Sequence, residues 1–223
     1  MSNMALWSAV EKTDPSQVKP ISGKPYKGTS PKPYYLVRKA TETFGPCGQG
    51  WGFQIVSERV EDGSAGDKVH IAHVRVWYEW GGKRGEVEHV GQTMFAGKNK
   101  NGPYTDEDAP KKSVTDALVK ALSMIGFAGD IFMGRYDDSK YVSELRREIE
   151  QNAFDDIADA YLSKARADIL CFATPGELRE WWEKSTNDRE RAGVVKGTPV
   201  YAELWSLFAE TGKRLASNKQ EAA

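Results

Sequence analysis

The segment from Val69 to Trp80, VHIAHVRVWYEW, constrains the fold most, because it is long, rich in β-branched and aromatic residues and free of glycine and proline. This composition is typical of a β-strand. Alternate residues of a strand point to opposite faces of its sheet, so the pattern predicts two different faces. The face that we interpret as the core face carries Ala72, Val74, Val76, Tyr78 and Trp80. The opposite face carries Val69, Ile71, His73, Arg75 and Trp77.

Two further extended segments flank this strand. Trp51–Val60 precedes it across a turn that contains Asp62-Gly63, and Glu86–Ala96 follows it across the glycine-rich loop Gly81–Gly85. Extended segments joined by such short glycine-containing turns form antiparallel hairpins. The sequence therefore predicts a three-stranded antiparallel β-meander.

A long helix is predicted after the meander and the polar segment Gly97–Lys112. Its apolar residues recur at helical spacing, and they are Val114, Ala117, Leu118, Ala121, Leu122 and Ile125. Asp108 and Pro110 favour a helix start, and Gly126 favours its end. A second, shorter amphipathic helix is predicted over Tyr34–Phe44, with Tyr34 on its apolar stripe. A sheet with one face covered by a long helix belongs to the α+β class.

The chain divides into three regions by composition. Residues 1–33 are rich in proline, glycine and lysine and predict a basic N-terminal arm. Residues 34–140 contain the sheet and its helix. Residues 141–223 have a helical pattern, over about 142–151, 154–172, 175–184 and 199–216. Their many apolar and aromatic residues are expected to pack on each other or on a neighbour.

Several protein classes are disfavoured. No apolar run reaches the roughly 18 residues that span a bilayer, and the start of the chain lacks a signal-peptide pattern, so we expect a cytosolic protein without a membrane partner. Cys47 and Cys171 lie far apart without a CxxC neighbour, which argues against a disulfide framework or a zinc knuckle. We expect both thiols to be reduced.

Charge is segregated along a chain whose formal net charge is only -1. The stretch from Lys19 to Lys39 contains six basic residues and no acidic one, whereas Glu144–Asp159 contains six acidic residues and two arginines. Such segregation produces a local positive surface on a nearly neutral molecule. A polyanionic partner is therefore compatible with the overall composition.

Motifs for nucleotide or covalent chemistry are not matched. The four glycines of GPCGQGWG, residues 45–52, fit neither GxxxxGK[ST] nor GxGxxG, so they predict tight turns. There is no GxSxG, and Cys47 has no evident base. We expect no enzymatic activity and no cofactor.

Metal chemistry remains as an alternative. His70, His73 and His89 do not form a facing set, because strand residues three apart point to opposite faces. Asp130, Asp137 and Asp138 would suit Mg²⁺ in a metal-dependent nuclease or nucleotide-processing enzyme, although solvated loop acids or partners for Arg135 fit them better. A third possibility is a module that binds another protein through its helices.

Basic and aromatic residues also suggest a nucleic-acid interface. Arg75 and Trp77 would suit phosphate attraction and base stacking if they are exposed. Lys111, Lys112 and Lys120 flank the long helix, and together with Lys98, Lys100 and the basic arm they suggest a groove. The remaining candidates, chosen by charge placement, are Lys24, Lys27, Lys32, Arg38 and Lys39.

Two segments together resemble the single-strand annealing superfamily, which includes the phage Sak, Erf and Redβ proteins and the eukaryotic RAD annealing mediator. The first is ATETFGPCGQGWGF, residues 40–53, which resembles the family's helix ending in FG before a tryptophan-led strand. The second is KKSVTDALVKALSMIG, residues 111–126, which resembles its KEAVTDGLKRAL-type helix. Their order and spacing agree with a β-β-β-α annealing core, and the resemblance covers about 33–141.

The resemblance implies an ATP-independent protein that binds single-stranded DNA and anneals complementary strands in phage homologous recombination and DNA repair. It implies a homo-oligomer, either a ring or a helical filament, in the cytoplasm of the bacterial host. Lys120 matches one of the family's two adjacent basic residues, whereas Val119 stands at the other position. The candidates to supply the phosphate contact that is missing at Val119 are Lys111, Lys112 and Arg135. The C-terminal region is expected to contact a host single-strand-binding protein or a phage exonuclease.

Overall fold

A computed structural model describes residues 2–21 and 27–221, and the fold is α+β. The chain separates into two compact units, Met1–Leu145 and Arg146–Ala223. The first unit contains a four-stranded sheet and its helices, and the second unit is helical. The division falls five residues after the boundary expected at 140/141, within one long helix.

The sheet of the first unit is antiparallel throughout, and its four strands are hydrogen-bonded to one another in chain order. Its strands are β3 Trp51–Asp62, β4 Lys68–Trp80, β5 Lys83–Asn99 and β6 Gly102–Thr105. The prediction of three strands is incomplete, because β6 forms inside the polar segment Gly97–Lys112. The chain reverses there because Gly102 adopts a positive φ of 112° and the backbone N–H of Asn101 donates to Asn99 Oδ1 at 2.8 Å.

The strand register confirms the predicted core face of β4. Val76 lies opposite Phe53 of β3 and Val87 of β5, and Ala72, Val74 and Val76 are completely buried. Tyr78 packs against the same core at its edge. The opposite face of β4 is more polar, and it carries His73, Arg75 and Trp77.

Two helices complete the core of the first unit. The helix α2, Pro33–Phe44, ends at Gly45, and α3, Ala109–Ser123, packs across β4 and β5. Gly91 permits this close packing, because a Cβ atom at that position would lie 2.1 Å from the Ser113 carbonyl oxygen. The buried residues include Leu36, Ala40, Trp51, Ala117, Ala121, Leu122 and Phe127.

The stripe predicted for α2 is partly wrong. Leu36 and Ala40 are the buried residues of this helix, whereas Tyr34 is 85% exposed. Tyr34 lies in the first turn, where α2 begins outside the core. The neighbouring Tyr35 takes the inward position instead and packs against the core.

The N-terminal region packs into the first unit and does not form a separate arm. It contains α1, Ala5–Val10, and a small hairpin of β1, Val18–Pro20, with β2, Thr29–Pro31. Val10 and Thr13 are completely buried. Lys24, predicted to contact DNA, lies outside the described residues.

The second unit has its own core. After the short helix α4, Gly129–Phe132, the chain forms α5, Ser139–Cys171, followed by α6 Pro175–Lys184, α7 Thr186–Arg191 and α8 Pro199–Glu221. The break expected near 152 is absent from α5, because its 33 residues contain neither glycine nor proline. An aromatic cluster around Trp182 packs with Tyr201, Trp205 and Phe208. Within the described ranges, no helix has the length and apolar character that crossing a bilayer requires.

Candidate nucleic-acid interface

A groove of about 460 Å³ lies beside the N-terminal hairpin. One wall is formed by β1, β2 and the start of α2, and the other wall is the solvent-facing side of α3. We call it the lysine groove, and the residues that line it are Lys19, Ser30, Pro31, Pro33, Asp108, Lys111, Lys112, Thr115, Asp116 and Val119. It brings basic residues from two distant parts of the sequence to one place.

Helical geometry explains the wall that α3 contributes. Lys111, Thr115 and Val119 recur every four residues, so they lie above one another on one side of the helix. The opposite side of α3 carries Ala117 and Ala121, which are buried against the sheet. The side of α3 that is not needed for the core therefore faces the hairpin.

The lysines of the groove are exposed, and two of them form ion pairs at the surface. Lys111 Nζ lies 3.0 Å from Asp108 Oδ1, and Lys112 Nζ lies 2.6 Å from Asp106 Oδ2. The hydrogen bond to Asp106 raises the pKa of Lys112, so this ammonium stays charged at neutral pH. No hydrogen bond or ion pair of the Lys19 ammonium is found in the part of the chain that the structure describes. Exposed ion pairs contribute little to stability, so a phosphate can exchange for these carboxylates at small cost.

Lys120, the residue matched by the resemblance, does not line the lysine groove. Its ammonium lies over the Phe132 ring of α4, 4.6 Å from the ring centroid. Val119, which stands where a second basic residue was expected, lines the groove instead. The structure therefore places Lys120 apart from Lys111 and Lys112.

Three of the basic candidates near the hairpin already have partners in the chain. Lys39 Nζ donates to the carbonyl oxygens of Val10, at 2.8 Å, and Lys12, and burial lowers its pKa. Arg38 Nε pairs with Glu42 Oε1 at 2.7 Å. Lys32 Nζ donates to the Ser16 carbonyl at 2.9 Å, but its side chain is exposed. Lys39 consequently holds the end of α1 in place.

On the polar face of the sheet, acidic side chains neutralise the basic ones. Arg75 Nε lies 2.6 Å from Glu88 Oε1, and His73 Nε2 lies 2.7 Å from Glu88 Oε2. The hydrogen bond from Arg75 holds the pKa of Glu88 below its usual value. The guanidinium of Arg84 covers the Trp77 ring at 4.5 Å from its centroid. Arg75 and Trp77 are therefore engaged with neighbours.

The remaining basic candidates lie at other places. Lys98 lines a shallow depression at the β5–β6 turn, and Lys100 lies within that turn. Lys27 is exposed just before β2. Arg135 lies near Tyr141, whose pKa is raised to about 12 by burial and by the neighbouring Asp130 carboxylate. The structure brings none of these four residues into the lining of the lysine groove.

The acidic candidates do not form a common site. Asp130 is completely buried, and its oxygens accept hydrogen bonds from the N–H and Oγ1–H of Thr13, both at 2.8 Å, from the Ile131 N–H and from the Tyr141 hydroxyl. Asp137 and Asp138 are exposed. Among residues 2–21 and 27–221, no group of three or more His, Cys, Asp or Glu side chains is placed to hold a metal ion.

Sequence reasoning missed two residues of this region. Lys19 belongs to the basic stretch, but only the β1–β2 hairpin reveals that it lies opposite α3. The helical spacing predicts Tyr34 on a buried stripe, but it is exposed and directly follows Pro33 of the groove wall. Three aromatic residues close together at 34, 35 and 44 fit more than one helical face, so spacing alone does not separate Tyr34 from Tyr35.

No protein-family model matches this chain, and no curated protein matches it either. What the protein binds must therefore be inferred from its own residues and their geometry.

Proposed function

We propose that the protein binds single-stranded DNA and anneals complementary strands without nucleotide hydrolysis, as a non-enzymatic factor of phage recombination in the bacterial cytoplasm. The observation that carries this proposal is the lysine groove. It combines Lys19, Lys111 and Lys112 along one depression, beside Asp108 and Asp116 of the lining and Asp106, which pairs with Lys112. Several exposed lysines in one groove are typical of a site that binds a phosphate backbone.

The lysine groove has room for a segment of a single strand. A volume of about 460 Å³ is typical of a small-molecule pocket, which leaves room for about one or two nucleotides. Lysines bind phosphates without reading bases, so the Watson–Crick edges of a bound strand remain free to pair. Binding through the backbone while leaving the bases accessible is the requirement for annealing.

The topology supports the same proposal. Three long antiparallel strands followed by α3 agree in order with the β-β-β-α core that the resemblance implies, and we propose 34–140 as that annealing core. The short β6 is an addition between the third long strand and the helix. The role of the helical second unit, as a contact for a single-strand-binding protein or an exonuclease, is also a proposal.

Strand β3 supports assembly into a homo-oligomer. It lies at the edge of the sheet, and along its 12 residues no second strand pairs with its outer side in the described part of the chain. Phe53, Ile55 and Val60 project from the face of the sheet that α3 covers elsewhere, yet they are 42%, 43% and 49% exposed. An unpaired edge beside exposed apolar residues is a template for another chain.

The opposite side of the sheet offers a second free edge. β6 pairs only with Ala96–Asn99 of β5, which leaves the preceding part of β5 without a strand on that side among the described residues. Pairing of β3 in one copy with β5 in the next would be a head-to-tail contact. Such contacts produce rings when the rotation closes and helical filaments when it does not.

The decisive experiment for this function is an annealing assay with two complementary fluorescent oligonucleotides, with EDTA present and ATP absent. We expect the protein to accelerate pairing, because bound strands are extended and concentrated along its grooves. Both oligonucleotides should be recovered at full length. Unchanged pairing kinetics at low salt would contradict the proposal, and shortened products after Mg²⁺ addition would favour the nuclease alternative.

The assembly proposal has its own prediction. The double substitution Ile55→Asp with Val60→Asp should convert the oligomer to a monomer, because it puts charges into the apolar part of the β3 interface. Light scattering coupled to size-exclusion chromatography measures the mass. Gln54→Asp, which adds a charge to the opposite face of the same strand, is the matched control and should leave the oligomer intact. A monomeric wild-type protein, or a double variant that still assembles, would rule out this interface.

A further inference from the structure

Tyr34 occupies an unusual place beside the lysine groove. Its side chain is in the first turn of α2, directly after Pro33, which lines the groove, and it is 85% exposed. Among the described residues it has no hydrogen bond and no aromatic contact. The ring is therefore open to solvent, one residue along α2 from a residue that lines the lysine groove.

Three other aromatic residues of the first unit are engaged with neighbours. Tyr35 is partly buried, and its hydroxyl accepts a hydrogen bond from the Asp14 N–H at 3.3 Å. Phe44 packs against Tyr78 and Phe127 with ring centroids 5.1 and 5.7 Å apart. Trp77 is covered by Arg84. Of these residues, only Tyr34 offers an open ring, and it directly follows a residue of the groove wall.

We infer that Tyr34 stacks on a nucleobase of the strand whose phosphates contact Lys19, Lys111 and Lys112. This inference rests on the proposed function and adds a base contact to a site otherwise built for phosphates. An exposed aromatic ring beside a cationic groove is the arrangement by which single strands are held without sequence preference, because every base has a π-face.

The stacking contact explains a preference for unpaired strands. A base inside a duplex is already stacked on both sides, so it cannot stack on Tyr34 unless it leaves the helix. Pairing with a complementary strand therefore removes this contact while the phosphate contacts remain. The contact with Tyr34 favours the substrate of annealing over its product, which helps the finished duplex to leave.

The test compares two probes of equal length and charge, an oligothymidylate and an oligomer of abasic deoxyribose phosphates. Wild-type protein should bind the thymidylate more tightly. Tyr34→Ala should weaken thymidylate binding about 10-fold, the size of one lost base stack, and leave abasic binding unchanged. Tyr34→Phe should restore wild-type binding, because it keeps the ring. Tyr104→Ala, at a partly exposed tyrosine outside the groove, is the matched control.

The outcomes distinguish this inference from the proposed function. Wild-type binding of thymidylate that Tyr34→Ala leaves unchanged would overturn the stacking role alone, as would an equal loss on both probes. If the wild-type protein binds neither probe at low salt, the proposed function fails and the inference fails with it. Thermal melting is the check that Tyr34→Ala is folded, which the exposure of Tyr34 leads us to expect.

Discussion

Replacing Lys19, Lys111 and Lys112 together with alanine should weaken single-stranded DNA binding by about 100-fold or more at 50 mM salt. Each lysine that neutralises a phosphate releases condensed counterions, and this release supplies most of the free energy of non-specific binding. Fluorescence anisotropy with a labelled oligonucleotide measures the loss. Annealing should slow in parallel, because it depends on the bound strand.

The salt dependence separates lost phosphate contacts from general damage. For single strands, the slope of log K against log salt concentration is about -0.7 per contact, so the triple variant should have a slope shallower by about 2. The matched control replaces three exposed lysines outside the groove with alanine and so removes the same number of charges. These lysines are Lys140, Lys164 and Lys213. If the control loses as much affinity and slope as the groove variant, the groove is not the binding site.

Lys120 allows the resemblance and the geometry to be compared directly. The resemblance assigns Lys120 to a phosphate contact, whereas the structure places its ammonium over Phe132 and outside the groove. We expect Lys120→Ala to change the slope by less than Lys112→Ala does. The reverse order would move the binding site to the side of α3 that faces α4.

Loss of the buried carboxylate of Asp130 is expected to have the largest effect on stability. Asp130→Asn should lower the free energy of unfolding of the first unit by about 3 kcal/mol, because an NH2 group replaces one of the two acceptor oxygens. Either the Thr13 N–H or the Ile131 N–H then loses its acceptor in a buried place. Chemical denaturation followed by the fluorescence of Trp51 and its neighbours measures this change. Asp137→Asn is the control, since Asp137 is exposed, and it should be nearly neutral.

A double-mutant cycle with Thr13→Val tests the assignment. Because the two side chains share hydrogen bonds, the double variant should lose less stability than the sum of the single variants, with a coupling of about 1 kcal/mol or more. Additive losses would show that Asp130 is stabilised by something other than Thr13. Stability that is unchanged in Asp130→Asn, together with loss of a Mg²⁺-dependent activity, would support the nuclease alternative.

Elements with a strong local pattern could be predicted from the sequence. The β4 face, the end of α2 at Gly45 and the apolar stripe of α3 are recognisable because alternation, helical spacing and glycine act within a few residues. The four-residue β6 was missed because its pairing with β5 depends on a turn at Asn101-Gly102 inside a polar segment. The continuous α5 was missed because its apolar residues change face along the helix.

Only part of the candidate site could be predicted from the sequence. Lys111 and Lys112 were identified by their place on α3, but their neighbour Lys19 lies some 90 residues earlier, and local patterns do not encode such contacts. Lys39 illustrates the opposite error. Its position in a basic stretch suggests DNA, yet the carbonyl groups of Val10 and Lys12 surround its ammonium, and a charge count contains no information about them.

The bond between Thr13 and Asp130 joins residues 117 positions apart, and this separation has a consequence during translation. A ribosome that adds 5–20 residues per second needs roughly ten seconds to synthesise the intervening chain. Throughout that interval the newly made amino-terminal helix and hairpin lack the carboxylate that anchors them. In the nascent chain, Lys19 and its hairpin are thus made well before the core that later anchors them.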